Sequence, residues 1–235
     1  MDGWIDFYDS AHSIYVNAHH RDVHFRQLAS DLAAYVRPGA AVLDYGCGEA
    51  LHADLVAANA SQLILVEPAP GVRARLTARF AQNAKIEVSG ADRLADLADH
   101  SIDLVVMHSV AQYLTPKELD AAFAKFRRLL RPDGMFVLGD VIALNASALQ
   151  DAASLLRFGA REGFFFAAVG GLARTALSPY RRLRSTLGLT RYDEAGMIEK
   201  LTAAGFTARR AGRNIGHNGS RMTFLALPQG SAAWN

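Results

Sequence analysis

Cysteine is almost absent: Cys47 is the only one in 235 residues. No intrachain disulfide can form, which suits a reducing cytosol and a cytoplasmic protein. No apolar run reaches the ~18 residues that a spanning helix needs. The opening stretch MDGWIDFYDS has neither a basic start nor an apolar h-region, so no signal peptide is expected. Internal repeats and low-complexity tracts are also missing. There is little excess of either charge, +2 overall, and that alone points to no class of partner. What remains is ordinary for one α/β domain spanning 1–235: 51% hydrophobic residues for a core and 20% charged residues for a surface.

The chain is organised around VLDYGCGEA, Val42 to Ala50. Ala41-Val42-Leu43 suits a strand buried on both faces. Gly46 and Gly48 allow a sharp turn and a close approach by a ligand. Leu51 and Leu55 stand one helical turn apart, so a helix is expected from Glu49 to Ala60, with backbone N–H groups of the turn aimed at a ligand. Leu63 to Val66 forms a second strand closed by Glu67, 23 residues after Asp44. An acid there can accept hydrogen bonds from vicinal ribose hydroxyls. Together these features indicate an adenosine-containing ligand.

Two details favour S-adenosylmethionine (SAM) over a dinucleotide. The third glycine of a pyrophosphate turn is replaced by Leu51. Asp44, just before the first glycine, would repel a pyrophosphate but suits the cationic amino group of SAM. On these residues, and over roughly 35–145, the chain resembles the class I SAM-dependent methyltransferases. The resemblance implies a Rossmann-like α/β sandwich with a seven-stranded, mostly parallel sheet and a C-terminal antiparallel hairpin. It also implies an N-terminal helical lid and a helical insertion before strand six. The expected segments are 1–36 for the lid helices, 37–145 for the cofactor core, 146–192 for the insertion and 193–235 for the last helix and strands.

The resemblance assigns cofactor contacts to Asp44, Gly46, Cys47, Gly48, Glu67, Pro68, Ala91, Asp92 and His108, with Asp92 at the adenine and His108 at the end of strand four. Cys47 is read as a small residue in a tight turn, since no base stands beside it. The segment up to residue 24 holds His12, His19, His20 and His24 with Tyr8, Tyr15 and Arg21. His20 and His24 share a helix face, as metal ligands do, but no third ligand stands at suitable spacing, so no metal is expected. Tyr15, His20 and Arg21 are candidate lid contacts to cofactor or acceptor, and Tyr113 a candidate acceptor contact. His217, on the Gly216–Gly219 turn, is the candidate general base; a turn histidine without a chemical role is the plainer reading.

Elsewhere, Thr115-Pro116-Lys117-Glu118 opens a helix whose apolar face runs from Leu119 to Leu130. Arg131 to Gly134 is a turn before strand five. Leu149, Ala152 and Leu156 suggest a further helix face. Residues 157–191 carry seven arginines against one acid, Glu162, beside Phe164-Phe165-Phe166. That composition suits peripheral contact with a membrane through 158–191, a cap over a small lipid-like acceptor, or a homodimer interface with the Phe cluster between subunits. Nucleic acid is disfavoured, because no RNA-binding module surrounds the arginines. The expected activity is methyl transfer to an oxygen or nitrogen of a small amphipathic molecule. Two alternatives are a nicotinamide-dependent oxidoreductase, suggested by the Tyr113/Lys117 spacing, and a non-catalytic SAM-fold binding protein. Pro116 argues against the first by breaking the helix that such a dyad needs.

Overall fold

A computed structural model describes residues 2–9, 15–175 and 188–231. Its centre is a seven-stranded sheet in the order β3-β2-β1-β4-β5-β7-β6. The strands are β1 Ala40–Tyr45, β2 Ala60–Val66, β3 Ile86–Ser89, β4 Ile102–His108, β5 Leu130–Val141, β6 Phe206–Arg210 and β7 Met222–Pro228. Neighbours from β3 to β5 pair in parallel, whereas β7 runs antiparallel to both β5 and β6. The expected fold, with its terminal antiparallel pair, is what forms.

Strand apolarity on alternate residues explains the layers. Leu43, Ile64, Val105 and Phe136 face one side, with α5 (Arg93–Asp96), α6 (Pro116–Leu129) and α9 (Glu194–Ala203) packed over them. Val42, Leu63, Leu104 and Val137 face the other, under α2 (Ala18–Ala33), α3 (Ala53–Ala57) and α4 (Pro70–Phe80). A parallel sheet must be covered on both faces, and it is. Helix α6 starts with the Thr115/Glu118 capping box and buries Leu119, Ala122, Phe123, Phe126 and Leu129 as expected. Asp193 caps α9 by accepting from Gly196 N.

Three local expectations need correction. The helix after the glycine turn begins only at Ala53 and lasts five residues, and Leu55 is largely exposed. Arg131–Gly134 does not end a helix and precede a strand; it bulges within β5. Ile102 pairs with Leu130, but Leu104 pairs with Met135. The extra residues are drawn out by ion pairs of Arg131 with Asp103 and of Arg37 with Asp133. Helix α7 (Ala148–Glu162) exists, but Leu149 points to solvent at 82% exposure, and the buried side is set by Ser154, Phe158 and Gly159.

Helix α8 (Phe165–Thr175) folds back on α7 after Gly163, whose φ of 81° makes the left-handed cap. Phe158, Phe164 and Ala168 form a small satellite core with Val23 of α2. Among the described residues no helix is long and apolar enough to cross a membrane.

The loop between β6 and β7 is tied to α2 by one buried carboxylate. Asp31 accepts from Arg213 Nη2 at 2.8 Å and from Gly216 N at 2.9 Å. Replacing it leaves the Gly216 N–H without a partner, while the exposed Arg213 can turn to water. Asp31→Ala is expected to cost ~1–3 kcal/mol, read as a lower urea midpoint at unchanged m-value.

Candidate functional site

The carboxyl ends of β1, β2 and β4 meet beside the glycine turn, where open parallel sheets bind ligands. Gly46 has φ +74°, and a Cβ there would lie 2.4 Å from Val110 Cγ2, so this position needs glycine. Gly48 has φ +59° with open space where a Cβ would stand. The turn's amides, however, are not aimed outward. Gly46 N and Cys47 N donate to Val66 O, and Gly48 N donates to Glu67 Oε2 at 2.9 Å. The expected cradle of free N–H groups is absent here, and α3 is too short to supply another.

The site is acidic instead. Glu67 is buried and takes Gly48 N on one oxygen and Ala69 N, also at 2.9 Å, on the other. Each oxygen keeps a lone pair for a further donor. Burial raises its pKa, opposed by those two backbone donors. Asp44 is half-buried at the end of β1, and nothing among the described residues donates to its carboxylate. Burial, with the nearby Glu67 charge, pushes its pKa up from 3.8 to about 7. A desolvated carboxylate without a hydrogen bond among the described residues favours its neutral form until a cation approaches. Cys47 is buried, and burial pushes its thiol well above the usual range, which fits a packing role. Pro68 O accepts from Arg73 beside Glu67. Ala91 and Asp92 stand exposed past β3, and Asp92 makes no capping bond to α5.

Helix α1 (Asp2–Asp9) crosses this end of the sheet. Trp4 packs on Tyr113 at 4.6 Å, and the Tyr8 and Tyr113 hydroxyls are 2.6 Å apart. At its other end Asp9 Oδ1 accepts from Gly71 N and Val72 N at the start of α4. Tyr113 follows β4 and Gly71 follows β2, so the helix passes over β1 and its glycine turn. Eight residues at 1.5 Å each make about 12 Å, enough to cross the two ~4.8 Å strand spacings from β4 to β2.

Beside this cleft lies a cluster of imidazoles and aromatic rings. His217 stacks flat on Phe158 at 4.4 Å and meets His24 edge-on at 5.6 Å. His20 stacks on Phe164 at 4.7 Å, and Tyr15 touches His20 and His24. His20 Nδ1 accepts from Val16 N, so its other nitrogen carries the proton; that Nε2 is buried without a partner among the described residues. Burial and the neighbouring His217 lower His20 to about 4. Burial likewise lowers His24 and His217, although Asp140 acts on His217 in the opposite sense. All three rings are therefore neutral at pH 7. Arg21 lies 3.5 Å from Glu49, and both charges act on Tyr15. His108 sits between cleft and cluster, with Nε2 facing Ile215 O.

Residues 43–138 match the family model described as a methyltransferase domain. This segment is a methyltransferase domain. The whole chain superposes on the structure described as a DhpI-SAH complex with a TM-score of 0.61 at 15% identity, covering 97% of this chain and 96% of that one. Magnesium protoporphyrin IX methyltransferase (ChlM) from Synechocystis PCC 6803, with bound SAM, gives 0.58 at 17% identity, with 97% and 90% covered. A putative methyltransferase of Haloferax volcanii, in complex with its Trm112 activator, gives 0.60 at 14% identity, with 97% and 96% covered. Against another neighbour of TM-score 0.56 the chain spans 66% of that protein's length. At these identities the likeness establishes the fold. No curated protein matches the sequence significantly.

Sequence reasoning missed several residues that the methyltransferase domain and its helices bring to the site. Asp9, Asp140 and Ser109 carry no motif, and Phe158 and His24 acquire neighbours only through tertiary packing. Phe164 was expected to act with Phe165 and Phe166. Instead it turns inward onto His20, while Phe166 is 88% exposed. Phe164 is thus buried within the chain, while Phe165 and Phe166 stay exposed on α8. Of the arginines, Arg161 lies over Phe158 and Arg174 donates to Val16 O. Arg181, Arg182, Arg184 and His12 lie outside the described residues.

The state of Asp44 predicts a pH dependence. Its folded pKa lies above the unfolded 3.8, so the ligand-free fold binds the extra proton and loses stability as pH rises from about 4 to about 7. An ammonium ligand favours the charged carboxylate. Affinity for S-adenosylhomocysteine should therefore rise from about pH 5.5 and level off above about pH 7.5, and Asp44→Asn should flatten the curve and weaken binding ~10–100-fold at pH 8, by titration calorimetry.

Proposed function

We propose that the protein moves a methyl group from SAM to an oxygen or nitrogen of a small, amphipathic acceptor seated beneath the α7–α8 hairpin. The unpaired Asp44 carboxylate beside a backbone-clamped Glu67 carries the cofactor half of this reading. Asp44 takes the amino group and Glu67 the ribose hydroxyls. Pro68 and the Ala91–Asp92 turn border the adenine side, and Gly46, Cys47 and Gly48 leave room along the chain of the ligand. Helix α1, with Tyr113 and Tyr15, serves as the lid that excludes water. Bound SAM supplies an activated methyl whose bond to sulfur breaks, with its electron pair returning to sulfur, as the acceptor lone pair attacks. What the protein must add is alignment, dryness and a destination for any proton the acceptor loses.

The acceptor half rests on the imidazole–aromatic cluster. Phe158, Phe164, His20, His24 and His217 offer flat apolar faces with a few polar edges, the usual lining of a small-molecule site. His217 is held neutral, as a base must be before it acts. His20 adds a buried donor for an acceptor oxygen. Phe165, Phe166 and Val169 form an exposed apolar row on α8. Beside the basic 157–191 composition, that row supports a lipid-like acceptor and peripheral contact with a membrane from the cytoplasmic side.

The oxidoreductase alternative loses its one support. Tyr113 ends a 3₁₀ turn, Thr115 is extended at ψ 157°, and Lys117 belongs to the next helix. The Tyr113 hydroxyl already meets Tyr8. A non-catalytic binding role is separated by methyl release against a panel of hydroxyl and amine acceptors.

Calorimetry should find binding of both SAM and S-adenosylhomocysteine and none of NAD. Glu67→Ala should weaken binding by ~1.5–3 kcal/mol, through loss of charge-assisted ribose bonds and of the clamp on Gly48. NAD binding without SAM binding would end this reading.

Liposome co-sedimentation tests the membrane contact. Binding should rise with anionic lipid, fall as salt screens the arginines, and weaken when Phe166 becomes Ser. Salt-insensitive absence of binding, with a concentration-dependent dimer in solution, would favour self-association through the α8 row instead.

A further inference from the structure

The ends of β4 and β5 carry two residues outside ordinary backbone geometry. Ser109 (φ 58°) and Asp140 (φ 59°) both occupy the left-handed region without being glycine. Side chains with a Cβ hold that conformation at a cost, and such outliers gather at functional sites. These two are also bonded to each other. Ser109 N donates to Gly139 O, and Ser109 Oγ donates to Asp140 Oδ2 at 2.7 Å. His108 Nδ1 lies 3.1 Å from the same Oγ. The group is braced from behind: Asp140 N and Thr223 Oγ1 both donate to Asn214 Oδ1, and Ile215 N donates to Thr223 Oγ1.

Counting protons shows what the group lacks. His108 Nε2 faces a carbonyl, Ile215 O, and must carry a hydrogen. A neutral ring then leaves Nδ1 bare. Ser109 has one hydroxyl proton, yet Oγ has two neighbours that each need one, Nδ1 and Asp140 Oδ2. With His108 neutral and Asp140 ionised, one of those two contacts is empty. A single added proton fills it. Asp140 is half-buried, and its Oδ1 has no partner among the described residues, so a proton has a way in.

We propose that His108, Ser109 and Asp140 form a proton-accepting relay serving the methyl acceptor, and that the acceptor group is therefore one with a proton to lose, such as a hydroxyl. The inference rests on reading this cleft as a methyl-transfer site. As the acceptor oxygen bonds to the methyl carbon, its O–H bond breaks and leaves the electron pair on oxygen. The proton passes to Asp140, or through Ser109 to His108 Nδ1. The relay goes from one negative charge to none as the positive charge on the donor is lost. A carboxylate acceptor would have no proton to give and would need no such group.

The charges around the relay are few. His217 of the β6–β7 loop feels both Asp140 and His108, and His24 of α2 feels His108 and His217. Arg161 and Asp151 of α7 act on His217 with opposite signs. His217 and the relay therefore lie in one electrostatic neighbourhood, and substitutions must separate them.

The test uses the full chain labelled with ¹⁵N-histidine, free and saturated with S-adenosylhomocysteine, and reads each ring's protonation by long-range ¹H–¹⁵N NMR. His108 should show the Nε2–H tautomer at high pH. In Asp140→Asn the Nδ1 resonance should shift, because the Ser109 hydroxyl loses the carboxylate it donates to and turns to Nδ1. Ser109→Ala should remove that hydroxyl and shift the resonance the other way. With alcohol and phenol acceptors, Asp140→Asn should lower kcat about 100-fold and remove the acid limb of the rate profile while binding S-adenosylhomocysteine normally. A wild-type His108 ring protonated on Nδ1 alone, or an Nδ1 resonance unchanged in both variants, would overturn the relay. So would methylation of carboxylic acids but of no hydroxyl or amine. If S-adenosylhomocysteine does not bind at all, the methyltransferase reading fails, and the free-protein spectra still decide whether the relay exists. Should Asp140→Asn fail to fold, Ser109→Ala carries the same comparison.

Discussion

The hydrogen bonds that lash the glycine turn to the end of β2 are what the site depends on. Gly46 N and Cys47 N reach Val66 O, and Gly48 N reaches Glu67. With Ala69 N on its other oxygen, Glu67 cannot rotate away. These contacts fix the turn from inside, and they use up the amides that a phosphate would need. What is left there is carboxylate: Asp44, without a partner among the described residues, and the remaining lone pairs of Glu67. An anionic pyrophosphate would meet repulsion, with the Gly46, Cys47 and Gly48 amides already taken. A cationic amine with a ribose meets the reverse. The chemical preference of the site thus follows from how its backbone is satisfied.

The imidazole–aromatic cluster depends on a second tie, the buried Asp31. By holding Gly216 N and Arg213, it brings the β6–β7 loop onto α2. His217 is thereby carried against His24 and onto Phe158. Packing of α7 and α8 over the same place then removes water, and desolvation keeps the imidazoles neutral. The price of the arrangement is a buried His20 Nε2–H with no partner among the described residues, a cost a ligand oxygen would relieve.

Strain sits where these two halves meet. Ser109 and Asp140 hold positive φ at the tips of neighbouring strands. Their backbone partners, Gly139 O and the Asn214 amide, over-determine the conformation. The same contacts connect β4, β5 and the loop that carries His217, so the groups nearest the cofactor cleft and those nearest the aromatic cluster belong to one network.

Local pattern was enough for the sheet and for the glycine turn with its acids. Continuous apolarity marks β1, β2, β4 and β5, the capping box marks α6, and glycines with an acid at the next strand end mark the cleft, because neighbours in sequence dictate each of these. Local pattern failed where a contact outweighs it. Leu51 and Leu55 suggest a helix that begins late, since the turn is spent on bonding to β2. Arg131–Gly134 bulges because Asp103 and Arg37 draw it out. Three phenylalanines in a row part company because Phe164 finds His20 across the chain. Sequence by itself therefore determined the sheet, its order of strands and helices, and the glycine turn flanked by two acids, all built from continuous apolar runs and short turns. The company kept by His20, His24, His217, Ser109 and Asp140 was decided only by the tertiary structure, because elements far apart in the chain must first pack before burial can bring those polar groups together and leave them neutral, strained or unpaired.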